Sequence, residues 1–261
     1  MTTAAVKWLA LILMVVDHIA AFIPGMPLWM RYLGRCSAPL FLFALAWGFC
    51  YTRSPKRYLL RLYLAGVCMG MVVLGLSLFL PRQSGPMTSN IFPTLLLVGM
   101  IIRLKDCRWS EWLLFLAGQY LSLLLVYGLT GILVKYGIDA YTATVCVNAV
   151  FPNVIYTEGG IFIVLLGVLL DRWKERPARL TAGYLLCCLI AFFLSMGRET
   201  WPELLRHLVR FPVYQYWMVG ALPVMLLYNR QRGRKSKYFF YLFYPVHLVL
   251  LYAVGWAMEH I

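Results

Sequence analysis

Nine apolar runs follow one another along the chain, each ended by a short polar or Pro/Gly-containing break. They cover approximately Val6–Ile23, Cys36–Thr52, Tyr58–Leu80, Met87–Leu104, Trp112–Val134, Ile155–Leu170, Leu180–Met196, Val213–Tyr228 and Tyr238–Ala257. A helix rises about 1.5 Å per residue, so runs of this kind approach the roughly 30 Å of a bilayer's hydrocarbon core. The pattern predicts an all-α, polytopic transmembrane helical bundle of about nine spans. A tenth run, Tyr141–Phe151, is too short to cross and reads as re-entrant or interfacial. The runs at Met87–Leu104, Ile155–Leu170 and Val213–Tyr228 are short and are bordered or interrupted by Pro93, Gly159-Gly160 and Pro223. Irregular backbone at membrane depth is tolerated only where it packs in protein or lines a wet cavity. No soluble domain, low-complexity linker or repeat intervenes, so residues 1–261 read as a single integral membrane domain.

Composition agrees with this class. The chain is 62% hydrophobic and 13% charged, outside the soluble balance. The first run is too long for a secretory leader and lacks a small-residue cleavage site, which predicts that it stays as a helix. A net charge of +14 raises the question of nucleic acid. The basic residues, however, sit in short loops between apolar runs, where topology and anionic headgroups account for them. With an inside N-terminus, 17 of the 24 basic residues fall on the inner side. The outer set is Arg31, Arg35, Arg82, Lys135, Arg198, Arg206 and Arg210. That asymmetry predicts a cytoplasmic N-terminus and an outer C-terminus. The seven cysteines are scattered and form no Cys-x-x-Cys or Cys/His spacing, so neither a metal site nor a disulfide framework is expected.

Against this background the polar residues at depth stand out. Val6–Ile23 carries Asp17 and His18 inside it, and Pro24, Gly25 and Pro27 end it. Ionisable groups at such depth are expensive and mark function by default. Lys7 and His18 are eleven residues apart, three turns plus about 20°, so they share one face roughly 16 Å apart along the axis. His247 lies nine residues beyond Tyr238, about 14 Å into the last run by the same rise. Two histidines at similar depth predict that the first and last helices meet around one polar cavity. Pro245 frees the carbonyl of Tyr241, which needs a partner other than lipid. Plainer readings stand beside these. Lys7 is also an ordinary snorkelling anchor, either histidine is also a hydrogen-bonded packing residue, and Asp17 also suits a partner arginine, Arg35, which emerges just outside the membrane at the second helix.

Several strings resemble the TraX family of membrane proteins. They are KWLALILMVVDHI (Lys7–Ile19), GRCSAPLFLFALAWGF (Gly34–Phe49), Ser89-Asn90-Ile91-Phe92, QYWMVGALPVMLLYNRQR (Gln215–Arg232) and KYFFYLFYPVHLVLLY (Lys237–Tyr252). The resemblance runs over nearly the whole chain and implies a bacterial inner-membrane protein linked to N-terminal acetylation of pilin. The first helix is also similar to that of the acyltransferase-3 superfamily, in which a basic residue precedes an essential histidine by eleven positions and a Gly-Phe pair follows. Lys7, His18 and Gly48-Phe49 occupy those places. Lysine stands for the usual arginine, and it cannot make a bidentate fork to phosphate.

Acyl transfer from a thioester needs a base for the acceptor proton, and histidine titrates near neutral pH. The resemblance therefore implies acetyl-CoA as donor and His18 as base, or as a transient acyl carrier, with Asp17 beside it. Lys7, Arg53, Arg57 and Arg61 would meet the donor's phosphates, although inner loops are basic for topological reasons too. Arg35, His247 and Glu158 are the candidates for holding the acceptor, which is a pilin-like peptide, an envelope sugar or a small amine. The competing class is a proton-coupled transporter or flippase using Asp17, His18 and His247 as a relay. An inert assembly scaffold is a third.

Overall fold

The computed structural model describes residues 1–196, 214–233 and 237–260. Arg198, Arg206, Arg210, Arg234 and Lys235, which entered the charge count, and Val213, which opens the eighth run, lie outside them. So do the side chains of Lys237 and Tyr238. Among the described residues the chain is helical throughout, with no strand. The helices are α1 (Thr3–Phe22), α2 (Trp29–Gly34), α3 (Ser37–Tyr51), α4 (Pro55–Phe79), α5 (Phe92–Leu104), α6 (Trp109–Lys135), α7 (Ala140–Val150), α8 (Gly160–Trp173) and α9 (Pro177–Met196). A 3₁₀ stretch, Gln215–Ala221, then leads into α10 (Leu222–Leu226), and α11 is Lys237–His260.

Among the described residues six stretches are long and apolar enough to cross a membrane: Thr3–Phe22, Trp29–Tyr51, Pro55–Phe79, Trp109–Lys135, Pro177–Met196 and Phe239–His260. The expected count of about nine is not reached by length. The three short runs fold as the 13-residue α5, the 14-residue α8 and the 3₁₀–α10 stretch, because their prolines and glycines cut each helix back. The tenth run is the 11-residue α7.

Contacts divide the chain into two compact units. The first holds Met1–Arg53, Leu165–His207 and Phe211–Met258; the second holds Ser54–Val164, Leu208–Arg210 and Glu259–Ile261. In the first unit α3 is buried on nearly every side from Leu40 to Trp47, as a helix apolar all round should be. Packed with it, α1 buries Val6, Ala10, Met14, Asp17 and His18, one stripe at i, i+3 and i+4 spacing. The two helices run antiparallel, with Ser37 Oγ donating to the Ala10 carbonyl at 2.7 Å.

α11 runs parallel to α1. Trp8 packs on Phe239 and Phe240, His18 on His247, and Phe22 on Tyr252, in the same order along both helices. The 3₁₀–α10 stretch runs back along α1, from the Asp17 end to the Thr3 end. At one end the Tyr214 hydroxyl accepts from Arg31 Nε at 3.5 Å. At the other the Tyr228 hydroxyl bonds Thr3 Oγ1 at 2.7 Å and Tyr51 at 3.2 Å. This covers the same depth as Thr3 to Asp17, about 21 Å at helical rise, and a 3₁₀ segment gains more length per residue than an α-helix.

In the second unit α4 and α7 pack through small residues. A Cβ at Gly70 would come within 2.7 Å of the Ala149 Cβ, so only glycine permits that approach. The non-helical stretch before α8 is held by side chains, as buried irregular backbone must be. Asn153 Nδ2 donates to the Gln119 carbonyl and to Ser122 Oγ, both at 2.9 Å, and Val154 N donates to Gln119 Oε1 at 3.0 Å.

Candidate functional site

Asp17 and His18 lie on the same buried stripe but turn to different neighbours, as the 100° between adjacent helical residues demands. Asp17 faces α2. Its Oδ2 receives Arg35 Nη2 at 2.5 Å and Arg31 Nη1 at 3.0 Å, while Arg31 Nη1 also donates to the Asp17 carbonyl at 3.0 Å. Arg31 and Arg35 are four residues apart, which aligns them on one face. The approach of α2 depends on Gly34, since a Cβ there would overlap the Asp17 side chain. Two guanidiniums thus share one carboxylate, leaving a surplus positive charge. Arg35 also sits over the Tyr214 ring at 5.8 Å.

His18 faces α11. Its Nδ1 lies 2.9 Å from His247 Nε2, and the rings stack at 5.1 Å. His247 Nδ1 in turn lies 2.8 Å from the Phe243 carbonyl. A carbonyl only accepts, so His247 Nδ1 carries a proton and, in the neutral ring, Nε2 is an acceptor. His18 Nδ1–H therefore donates to His247 Nε2, which leaves the lone pair of the neutral His18 ring on Nε2. No described residue hydrogen-bonds that atom. Helix α11 carries Pro245 inside this segment and stays helical through it.

At the opposite end of α1, Lys7 is half-buried and makes no hydrogen bond or ion pair with a described residue. Thr2 caps the helix, accepting from Ala5 N at 3.2 Å. The chain before Lys7 is latched to the loop before α11. Thr3 N donates to the Gln231 carbonyl at 2.8 Å, Ala4 N to the Arg232 carbonyl at 3.2 Å, and Asn229 N to the Met1 carbonyl at 2.8 Å.

The structure thus brings together Asp17, His18, Arg35 and His247. Lys7 lies three turns away on α1, and Arg53 is exposed just beyond α3. Arg57, Arg61 and Glu158 belong to the second unit. There Arg57 is exposed, Arg61 lies over the Tyr58 ring at 5.8 Å, and the Glu158 carbonyl accepts from Thr94 Oγ1 at 2.9 Å. Asn90, whose Ser89-Asn90 string is part of the resemblance, is buried and donates to the Gly66 carbonyl at 3.0 Å. A cavity of about 360 Å³ in the second unit is lined by Val126, Gly128, Gly131, Lys135 and Tyr156 among others, and contains none of the expected site residues.

Sequence reasoning treated Arg31 only as an outer charge, although its spacing from Arg35 was a usable signal. It also missed the Lys174 cluster. There Lys174 Nζ donates to Asp171 at 2.6 Å, to the Ala46 carbonyl at 2.9 Å and to Cys50 Sγ at 3.0 Å. Burial alone would lower the Lys174 pKa, but its bonds to Asp171 and Cys50 more than offset that and hold it above the ordinary range.

Comparison with known proteins bears on the same residues. Residues 2–255 match the family model described as TraX protein. A Dichelobacter nodosus protein named probable fimbrial assembly protein FimC, serogroup H1, is 28% identical to this chain, over 94% of it and 92% of that protein. No solved structure matches. The strings that carried the resemblance hold the contacts just described: Asp17-His18 in the first, Gly34-Arg35 in the second, Phe243 and His247 in the last. With the family model extending over nearly its whole length, the chain belongs to the TraX family.

Proposed function

We propose that this chain is a membrane acyltransferase that moves an acetyl group from acetyl-CoA to an amine or hydroxyl, with His18 as general base. One observation carries the reading: the hydrogen-bond chain from the Phe243 carbonyl through His247 to His18, which directs the free lone pair to Nε2 of His18. His247 is then a positioning residue, orienting the base as the third member of a catalytic triad does. The family match, and the fimbrial assembly in the relative's name, support an acceptor on a pilin-like subunit.

Nε2 of His18 takes the acceptor proton as the acceptor's nitrogen or oxygen attacks the thioester carbonyl. Collapse of the tetrahedral intermediate breaks the carbon–sulfur bond. The electron pair leaves on the sulfur, and the proton on Nε2 passes to it, which restores the neutral histidine pair. The surplus charge of Arg31 and Arg35 over Asp17 favours the transient oxyanion. Both guanidiniums act electrostatically on His18. Asp17 sets those arginines. The same ion pair weighs against a proton relay through Asp17, whose Oδ2 is held by two cations.

Labelled acetyl-CoA and purified protein with a peptide amine acceptor test the reading. His18→Ala is expected to lower thioester loss by about 10² to 10⁴-fold while inserting and purifying like wild type. Retention of most of the wild-type rate would make His18 a packing residue and end the proposal.

A further inference from the structure

The cavity of about 360 Å³ in the second unit lies apart from every residue that the transfer step uses. It is cut largely into α6, a 27-residue helix of which only Ser122 and Val126 are buried. At helical rise α6 is about 40 Å long, enough to cross the hydrocarbon and reach the headgroups on both sides. Exposed aromatic rings mark its two ends, Trp109 at one and Tyr136 just past the other, as at a membrane interface. Lys135, its last residue, therefore stands at headgroup level. Gly131 and Gly128 line the cavity about one and two turns further in. A Cβ at either would have nothing within 4 Å. Glycine inside a helix is less favourable than alanine, so the hollow is kept at a cost to the helix itself. In hydrocarbon an unfilled hollow forfeits the dispersion contacts of its lining. Its volume falls within the range of ligand sites.

Two polar groups at the cavity have no partner among the described residues. Lys135 lines it, is exposed, and makes no hydrogen bond or ion pair there. The nearest carboxylate along the chain, Asp139, is engaged in capping α7, its Oδ2 accepting from Thr142 N at 2.9 Å. Thr130 also lines the cavity, and its hydroxyl oxygen is shielded from solvent without a hydrogen bond. Threonine in a helix has two accessible χ1 rotamers, so a turn about χ1 offers the hydroxyl to an occupant. Cation, hydroxyl and open glycine thus follow in order from headgroup level inwards. Thr130 lies about 7.5 Å below Lys135 along the axis, and Gly128 about 10 Å below it. A phospholipid has the same order: phosphate, ester carbonyl, acyl chain.

We propose that this hollow is a binding site for an anionic phospholipid. Lys135 holds the headgroup as a point charge, Thr130 donates to an ester carbonyl, and one acyl chain lies along Gly131 and Gly128 towards Val126. An interfacial lysine alone would snorkel to any passing headgroup. The unsatisfied hydroxyl and the glycine-floored hollow beneath it fix one lipid in one register. The site stands apart from acyl transfer and holds whether or not that reading does. A free phosphate ester carries the same charge, so the headgroup without its chains is the necessary comparison.

Full-length protein, delipidated in detergent, is titrated with phosphatidylglycerol, phosphatidylcholine and glycerophosphoglycerol, the first headgroup without its chains. Bound lipid is counted by native mass spectrometry. Variants are Lys135→Gln, Thr130→Val, Gly131→Leu, and Arg108→Gln as a control cation at the opposite end of α6. Wild type and Arg108→Gln should prefer phosphatidylglycerol to phosphatidylcholine about fivefold, the worth of one lysine near an anionic surface. Lys135→Gln should lose that preference and still bind both lipids. Thr130→Val should weaken both alike, and Gly131→Leu should abolish the tight site for both. Glycerophosphoglycerol should not compete. An unchanged preference in Lys135→Gln overturns the proposal. So does competition by glycerophosphoglycerol as strong as that of the whole lipid, which would make Lys135 a plain anion contact. Disulfide-linked dimers of Gly128→Cys in a cysteine-free background, formed in native membranes, would show a second copy covering the hollow and would overturn it too. Should Gly131→Leu fail to fold, Lys135→Gln decides alone, since it alters an exposed side chain at a helix end.

Discussion

Replacing Asp17 by Asn keeps the side chain's size and removes its charge, so it isolates what the ion pairs contribute. Wild-type Oδ2 holds Arg35 at 2.5 Å and Arg31 at 3.0 Å, with the arginine side chains only 13% and 21% exposed. Breaking a buried ion pair by removing one partner costs about 3–5 kcal/mol. Here the loss is smaller, because Arg31 keeps the Asp17 carbonyl and the Tyr214 hydroxyl, and Arg35 keeps the Arg31 carbonyl. Those residual bonds, and the solvent that partly reaches the arginines, bring the expected cost of Asp17→Asn to about 2–3 kcal/mol. For a chain of this size that lowers the melting temperature by roughly 5–10 °C. Arg35→Gln should cost about 2 kcal/mol and Arg31→Gln about 1 kcal/mol, since Arg35 alone still neutralises the carboxylate. Intrinsic tryptophan fluorescence during heating in detergent reads all three, and Asp17→Asn combined with Arg35→Gln should show strong coupling. Melting of Asp17→Asn together with wild type would mean that the cluster carries no stability and that its place beside His18 needs another explanation.

Gly34→Ala should destabilise by about 2 kcal/mol, because its methyl overlaps Asp17, whereas Gly75→Ala in α4 has open space and should gain up to about 1 kcal/mol of helix propensity; equal melting temperatures for the two would refute the close approach. The raised pKa of Lys174 gives stability that is fully present below its ordinary value of 10.5 and drains as pH rises through the folded-state value. Alkaline melts of wild type should therefore fall steeply above that pH, while Lys174→Met, lacking the pair, shows a flatter limb; parallel limbs would refute the assignment. Cysteines replacing Phe22 and Tyr252 in a cysteine-free background should cross-link, because the rings lie 5.8 Å apart. Efficient linkage of position 22 to position 239 instead would reverse the direction of α11.

The class of the protein was legible in the linear sequence because hydrophobic length is a local property: twenty apolar residues need no partner to announce a membrane helix. Local spacing also put Lys7 and His18 on one face and predicted that Asp17 would pair with Arg35 and that His18 would meet His247, from depth and from the cost of unpaired polar groups. The number of passes was less legible. Prolines and glycines trimmed three runs below spanning length. Arg31 beside Asp17 was signalled only by its spacing from Arg35, and the proton order that runs from the Phe243 carbonyl through His247 to His18 needed the packed structure. Asp17 and Arg31, like His18 and His247, lie on different helices, and such a partner is chosen by where the helices come to rest. Composition and spacing dictated which groups the membrane would force to find partners; tertiary packing alone decided which partners they found.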